Sequence, residues 1–313
     1  MQCVPLNEDT GEKGDDPAAP AAKPILTREE RRAKREARRI RQRQENVGRA
    51  AKMHVARLAW EREAEPPAVT KSPLPPFNVG CSGWFYWHWR KIFYPPALPT
   101  NQWFAHYAKH FKTVELNAPF YSWPIIAAVR AWVGQTERRK FVFTVKVSEL
   151  ITHVKRFTGT KTLVRDFGHI ADLLGARMGC FLFQLPPSFH YSRARLDRIL
   201  SQLDPGRRNV VEFRHRSWWR ESVFDAFRAA GVIFCSCSGP RLPDDLVKTA
   251  DAVYIRFHGT KRWYRHDYTR DELTEWTAKI RAARPARVWA YFNNDREGYA
   301  IKNARMLLRL LRA

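Results

Sequence analysis

The stretch Ala252-Val-Tyr-Ile-Arg-Phe-His258 alternates apolar and polar side chains, residue by residue. Its apolar positions are Val253, Ile255 and Phe257, and its polar positions are Tyr254, Arg256 and His258. Successive side chains of a β-strand point to opposite faces, so the pattern predicts a strand with one apolar and one polar face. The apolar face must meet helices, which leaves the polar face toward the axis of a closed sheet.

Seven further apolar runs flank this strand, with helix-like stretches between them. The predicted strands are 77–81, 112–117, 141–148, 179–185, 209–214, 232–237, 252–258 and 287–293. The predicted helices are about 101–110, 124–135, 162–174, 192–203, 219–230, 243–249, 271–283 and 298–312. This alternation predicts an α/β fold, a (β/α)8 TIM-like barrel. An open doubly wound sheet is the alternative, but no glycine-rich phosphate fingerprint follows the first strand.

Strand parity turns five charged side chains toward one axis: Glu115, Lys146, Glu212, Arg214 and Arg256. A barrel interior is ordinarily filled by branched apolar residues, and moving a charge out of water costs several kcal/mol. One explanation is a structural plug of ion pairs in a barrel that binds no ligand. The favoured explanation is a site at the C-terminal mouth of the strands. Two carboxylates against three cations favour an anionic ligand such as a phosphate or carboxylate, gripped by the arginines.

If this site is catalytic, the residue types predict specific roles. Glu115 or Glu212 is the expected general base, and His258 or His153 the expected acid. The predicted substrate-binding residues are Asn117, Tyr121, Lys146, Gln184, Arg214, His215, Arg256, Asn293, Asn294 and Asp295. The histidines and acids are also metal-ligand types, but their spacing matches no metal motif and the nearby cations repel metal ions, so no metal ligand is assigned. The cofactor stays open.

The first 76 residues form a separate region. Residues 1–24 have a composition typical of disorder, and Thr27 with Glu30 forms the signature of a helix start. The predicted helix runs to about residue 63, is crowded with arginine in its first half and has little apolar surface to bury. A proline-rich linker at 65–76 separates it from the predicted barrel domain, 77–313.

The chain carries a net charge of +24. Residues 1–76 hold 16 basic and 12 acidic residues, which leaves 39 and 19 for the remainder, so the barrel itself is basic. A non-catalytic nucleic-acid-binding protein is therefore the second hypothesis, using this basic surface and the arginine-rich helix. Its candidate stacking residues are Trp84, Trp87, Trp89 and Trp263.

Three further observations narrow the class of protein. No apolar stretch of 18 or more residues predicts a membrane span. The N-terminus lacks the pattern of a secretory signal, so a cytoplasmic location is expected. The five cysteines are odd in number and form no spacing framework, which predicts reduced thiols and no disulfide-linked partner.

Seven sequence motifs resemble the YecE-like family, domain of unknown function 72. They are Cys81-Ser-Gly-Trp-Phe-Tyr-Trp-His-Trp89 with Phe93-Tyr-Pro95, Phe111-Lys-Thr-Val-Glu-Leu-Asn117, Phe120-Tyr121, Phe183-Gln-Leu-Pro-Pro187, Glu212-Phe-Arg-His215 with Ser217-Trp218, Tyr254-Ile-Arg-Phe-His-Gly259 and Tyr291-Phe-Asn-Asn-Asp295. The resemblance covers nearly all of residues 77–313 and implies a TIM-like barrel. It implies no activity, because the family is named for lacking one.

Overall fold

The computed structural model of the chain describes residues 27–63, 74–136 and 140–313. Within them, eight parallel strands form one sheet in the order β1-β8-β7-β6-β5-β4-β3-β2. The strands are β1 (Phe77–Cys81), β2 (Thr113–Leu116), β3 (Val142–Lys146), β4 (Met178–Leu185), β5 (Asn209–Phe213), β6 (Ile233–Ser238), β7 (Ala252–Phe257) and β8 (Arg287–Phe292). They alternate with helices around a nearly closed barrel, so the predicted fold class is confirmed. The expected disorder at 1–24 and most of the predicted linker lie outside the described residues.

The α-helices of the described residues match the predicted segments except at two places, one of which is the short helix at 118–121, which was not predicted. They are α1 (Arg28–Glu63), α2 (Trp103–His110), α3 (Ala118–Tyr121), α4 (Ile126–Gly134), α5 (Lys161–Leu174), α6 (Arg193–Leu200), α7 (Glu221–Ala230), α8 (Arg270–Ala283) and α9 (Tyr299–Arg312). The helix predicted at 243–249 is wrong. That segment has no helical turn, because it lies beside β6 and its polar groups form hydrogen bonds with residues of that strand. The Val247 N–H donates to Ser236 Oγ at 2.9 Å, and Thr249 Oγ1 accepts from the Phe234 N–H at 2.9 Å.

Strand parity divides the core into two layers, as the alternating pattern predicts. Side chains such as Val253, Ile255 and Phe257 pack outward against the helices in the larger apolar cluster. A second cluster fills the inside of the barrel, and it includes Tyr254 and Tyr291. The polar side chains of the strands therefore point to the axis.

The barrel is closed between β1 and β2 by a side chain. In the described residues no ladder joins these strands, but the Tyr107 hydroxyl accepts from the Cys81 N–H at 2.9 Å and donates to the Thr113 carbonyl at 3.1 Å. Gly80 allows the approach, because a Cβ there would lie 2.5 Å from the Thr113 carbonyl oxygen. A hydroxyl that both donates and accepts thus replaces the missing strand pairing at this seam.

The chain divides into two compact units, residues 1–40 and 41–313. In the first, the helix start is as predicted: the Thr27 N–H donates to Glu30 and the Glu30 N–H donates to Thr27 Oγ1. In the second, the rest of α1 packs onto the barrel, which the sparse apolar pattern did not predict. Ala50 and Met53 are 2% exposed, and Arg57 donates to Asp166 at 2.8 Å.

Asn46 on α1 joins this helix to the loop that follows β2. Its amide nitrogen donates to the Tyr121 carbonyl at 2.9 Å, and its amide oxygen accepts from the Trp123 N–H at 2.8 Å. One side chain thereby satisfies two backbone groups of the loop, and its own exposed fraction is 0%. None of the described helices is both long and apolar enough to cross a membrane.

Candidate functional site

Arg256 on β7 lies inside the barrel between two glutamates. Its Nη2 donates to Glu115 Oε1 on β2 at 2.6 Å, and its Nη1 donates to Glu212 Oε2 on β5 at 2.6 Å. All three side chains are at most 1% exposed. Charged hydrogen bonds of this kind are stronger where water is excluded, so Arg256 ties three strands together through its two ends.

The alternation of charge continues from Glu212 to Arg214, just past the end of β5. Arg214 Nε forms an ion pair with Glu212 Oε1, and Arg214 Nη2 donates to His258 Nε2 at 3.0 Å. The flat guanidinium also covers an aromatic face, with its carbon 4.6 Å from the centre of the Trp263 ring. Arg214 is therefore held on three sides by the protein.

These contacts set the protonation states of the two groups beside Arg214. Burial acts to raise the pKa of Glu212, but the Arg214 and Arg256 guanidiniums outweigh it and hold that pKa well below its usual range. Burial, with Arg214 next to the ring, holds the pKa of His258 well below its ordinary value. His258 is therefore neutral, and since arginine can only donate, its Nε2 accepts from Arg214.

Glu115 completes its hydrogen bonds with two neutral donors. Ser82 Oγ donates to Oε1 at 2.6 Å, and the Tyr254 hydroxyl donates to Oε2 at 2.5 Å. Burial raises the pKa of Tyr254 well above its ordinary value, so the phenol keeps its proton and remains a donor. The charges of Glu115, Arg256, Glu212 and Arg214 thus alternate and cancel.

A cavity of about 360 Å³ lies at the C-terminal ends of the strands, over this network. Its lining residues are Tyr86, Asn117, Tyr121, Lys146, Gln184, Arg214, Arg256, Tyr264, Asn293 and Asp295. Eight of these ten belong to the set predicted for substrate binding, all but Tyr86 and Tyr264. The structure brings these eight residues together at the mouth of the barrel, and their role in binding stays a prediction.

Lys146, the last residue of β3, differs from the other cations of the cavity. Its ammonium lies 3.8 Å from the centre of the Phe120 ring, and it makes no hydrogen bond or ion pair with any side chain in the described part of the chain. Burial, reinforced by the positive charge of Arg256, lowers the pKa of Lys146 to about 7. An amine that is half neutral at pH 7 can accept a proton or attack a carbon centre.

The three buried predicted catalytic residues, Glu115, Glu212 and His258, lie beneath the cavity and do not line it. Each has its polar atoms turned toward neighbouring side chains rather than toward open space. Glu212 remains ionised at neutral pH and His258 remains neutral. In these states neither group is suited to carry a proton to or from a ligand.

Three other predicted residues lie apart from the cavity. His153 Nδ1 contacts Thr152 Oγ1 at 3.0 Å, and His215 Nδ1 contacts Ser217 Oγ at 2.8 Å. Asn294 is fully buried, and its amide nitrogen donates to two groups of the protein, each at 2.7 Å. These contacts fix the local turns of the loops.

Tyr86 and Tyr264 line the cavity but were not among the predicted site residues. The Tyr86 hydroxyl donates to the Ser82 carbonyl at 2.6 Å. Tyr264 has a positive φ of 67° and a side chain that is 43% exposed. Both lie in loops that follow a strand, the position where sites of this fold occur, and that rule was the signal available in the sequence.

Glu212, Cys237 and His258 place three metal-ligand atoms within 4.8 Å of one another. The Arg214 and Arg256 guanidiniums already occupy the cation positions next to Glu212. His258 Nε2 accepts from Arg214, so its lone pair is used as well. The contacts around this cluster are those of an ion-pair network, and they do not fit a bound metal ion.

The barrel is similar to one curated protein and to solved structures of other proteins. The UPF0759 protein YunF of Bacillus subtilis strain 168 is 25% identical over 273 residues, which cover 74% of this chain and 94% of that protein. The crystal structure of a DUF72 family protein from Thermotoga maritima MSB8 is similar with a TM-score of 0.69 and 28% identity, over 76% of this chain and 100% of the other. A DUF72 family protein from Enterococcus faecalis V583 has a TM-score of 0.65 at 18% identity, over 76% and 96% of the two chains, and supports the fold alone.

Residues 78–313 match the family described as Protein of unknown function DUF72. That match starts at β1 and includes all eight strands and every residue that lines the cavity, whereas α1 lies outside it. The sequence motifs that resemble this family and the geometry of the barrel both agree with the family match. The chain therefore belongs to the DUF72 family of proteins of unknown function.

Proposed function

We propose that this protein is an enzyme that acts on a small molecule bearing a phosphate or other anionic group, bound in the cavity at the mouth of the barrel. The observation that carries the proposal is the charge of Lys146. The charges of the network beneath the cavity cancel, so the Lys146 ammonium is the cation left over among the described interior side chains. A charge kept out of water without a partner favours a ligand of opposite sign.

Other groups on the cavity suit this substrate class. Arg214 uses Nε for Glu212 and Nη2 for His258, which leaves Nη1 as the nitrogen available to an anionic oxygen. Asn117 has a buried amide oxygen without a hydrogen bond in the described part of the chain, and its nitrogen donates to the Ser82 carbonyl at 3.1 Å. Such polar groups in a small cavity orient a ligand.

Proton transfer in this proposal belongs to groups that line the cavity. Lys146 is half protonated near pH 7, and burial raises the pKa of the Asp295 carboxyl from its usual range. Asp295 also lies 3.3 Å from His88 Nε2 through Oδ2. Glu115, Glu212 and His258 would act as positioning residues, because they hold Arg256 and Arg214 in place.

A thermal-shift screen of the full chain tests the proposal with inorganic phosphate, phosphorylated metabolites and small carboxylates. A ligand at about 100 times its Kd adds roughly 2.7 kcal/mol, a rise in Tm of roughly 5–10 °C for a domain of this size. The rise should disappear in Lys146→Met. It should persist in Lys112→Met, because Lys112 is an exposed lysine at the N-terminal end of the neighbouring strand. Equal shifts in both variants would contradict binding at the cavity.

Nucleic-acid binding is a second candidate, favoured by the first half of α1. All side chains from 28 to 40 are exposed, and seven of them are basic: Arg28, Arg31, Arg32, Lys34, Arg35, Arg38 and Arg39. Affinity for a fluorescent single-stranded oligonucleotide should then fall steeply with salt. Replacing four of these arginines by glutamine should abolish binding, whereas Lys146→Met should leave it intact. Binding that does not change with salt would exclude this candidate.

A further inference from the structure

The Lys146 amine combines three geometric features. It ends a rigid strand, it lines a cavity and it lacks an ion-pair partner among the described side chains. Its side chain is only 8% exposed, so bulk water reaches it poorly. The aromatic face of Phe120 lies on one side at 3.8 Å, which leaves the cavity as the open direction.

We propose that Lys146 forms a covalent imine with the carbonyl group of an aldehyde or ketone that also carries a phosphate or carboxylate. The inference rests on the proposed function and deepens it by naming the substrate class. A phosphate ester without a carbonyl group would need only a charged lysine. A charged lysine is ordinarily stabilised by a carboxylate, and no carboxylate contacts Lys146 in the described structure, since Glu115 and Glu212 are paired with arginines.

The step balances without an external reagent. The Nζ lone pair attacks the carbonyl carbon, a C–N bond forms, and the carbonyl oxygen takes up a proton. The nitrogen loses its protons, the former carbonyl oxygen leaves as water, and a C=N bond remains. The Asp295 carboxyl lines the same cavity and is the group available to relay these protons.

Imine formation and anion binding are compatible at this position. A protonated imine keeps the positive charge of Lys146, so the cavity still has a cation for the phosphate or carboxylate of the same molecule. Arg214 Nη1 provides a second one. A cavity of about 360 Å³ is at the small end of the range for ligand sites, which fits a compact metabolite.

The charged groups around Lys146 favour the nucleophilic, neutral form of its amine. After burial, the positive charge of Arg256 on β7 has the largest effect on its pKa, and Arg214 acts in the same sense. Glu212 on β5 and Glu115 on β2 act in the opposite sense but are themselves paired with the guanidiniums. The cations of the network thus keep an amine reactive near neutral pH.

Reductive trapping tests the inference on the full-length protein. Glyoxylate, an aldehyde that carries a carboxylate, is added with cyanoborohydride at pH 7, and carboxymethylated lysines are located by peptide mass spectrometry. Lys146 should be modified at least roughly tenfold faster than Lys112, because an exposed lysine with a pKa near 10.4 is almost entirely protonated at that pH. Inorganic phosphate should slow the modification of Lys146 and leave Lys112 unchanged.

The outcomes separate this inference from the function on which it rests. Modification of Lys146 no faster than that of Lys112 would overturn the imine, while a phosphate-dependent rise in Tm lost in Lys146→Met would preserve the anion site. Fast modification of Lys146 by propionaldehyde and glyoxylate alike, without protection by phosphate, would overturn the anionic substrate class. The rate at which Lys146 is modified in the wild type should level off above about pH 7, because its amine is then mostly neutral. A rate that keeps rising to pH 10 would refute the inference.

Discussion

Removing Arg256 is the sharpest test of the ion-pair network. In Arg256→Ala, Glu115 loses its cation and keeps only the hydrogen bonds from Ser82 and Tyr254, and Glu212 keeps only Arg214. Removing one partner of a buried ion pair costs about 3–5 kcal/mol, because the remaining charge stays out of water. For a domain of this size we expect Tm to fall by about 6–20 °C. An average substitution costs about 1 kcal/mol, so the effect should be distinguishable.

The assay is thermal and urea unfolding of the wild type, Arg256→Ala and a matched control. Arg262→Ala removes an exposed arginine in the loop after the same strand and should change stability by less than about 0.5 kcal/mol. The double variant Arg256→Met with Glu115→Gln should be more stable than Arg256→Ala, because it removes charge on both sides. The pair's coupling energy follows from the corresponding double-mutant cycle.

The loss of stability should also depend on pH. The pKa of Glu212 in the folded protein lies well below its usual value, so its contribution is fully present above the unfolded value near 4.3 and is lost as the pH falls through the folded value. Arg256 supplies part of this contribution. The gap in stability between wild type and Arg256→Ala should therefore stay constant from pH 7 to about pH 4.3 and narrow as the pH falls below that value. A change in Tm under about 3 °C at pH 7, or a gap that widens in acid, would refute the reasoning.

Three further substitutions test other parts of the structure. Gly80→Ala should lower stability by about 1–3 kcal/mol, since its Cβ would meet the Thr113 carbonyl at 2.5 Å, and an unchanged Tm would contradict the closed seam. Asn46→Ala should cost about 1–3 kcal/mol in urea unfolding, because it leaves the Tyr121 carbonyl and the Trp123 N–H without their partner; stability equal to that of the wild type would argue against the contact. The pKa of Lys146 is about 7 in the folded protein and near 10.4 when unfolded, so the unfolded state binds more protons between these values and stability should rise from pH 7 toward pH 10. Lys146→Met should remove that rise, and an identical pH profile would contradict the lowered pKa.

The barrel could be predicted because the alternation is regular. All eight strands begin and end within two residues of the predicted limits, and outward residues such as Val253 lie in the layer against the helices. The error at 243–249 comes from tertiary contacts. Val247 and Thr249 bond to β6, and a single sequence does not show that these groups have partners outside a helix. Packing of α1 was missed because few apolar residues, among them Met53, carry it, while polar groups such as Asn46 do the rest.

The position of the candidate site was also predictable, but the state of its groups was not. Strand parity predicted that Arg256 and Glu212 point to the barrel axis. It could not show that both terminal nitrogens of Arg256 donate to glutamates, or that no carboxylate contacts Lys146 in the described residues. Side-chain length and rotamer decide which charges meet. His153 and His215 follow strands as Asp295 does, but their turns direct them away from the cavity.

The contact of Asn46 with the loop after β2 has a consequence for how this domain can be divided. The family match begins at residue 78, so the wall of the cavity at Tyr121 is braced by a side chain from outside the shared barrel. A chain cut at that boundary would keep every lining residue and lose part of their support. The part of this domain that folds as a unit is therefore longer at its N-terminal side than the segment that matches the family.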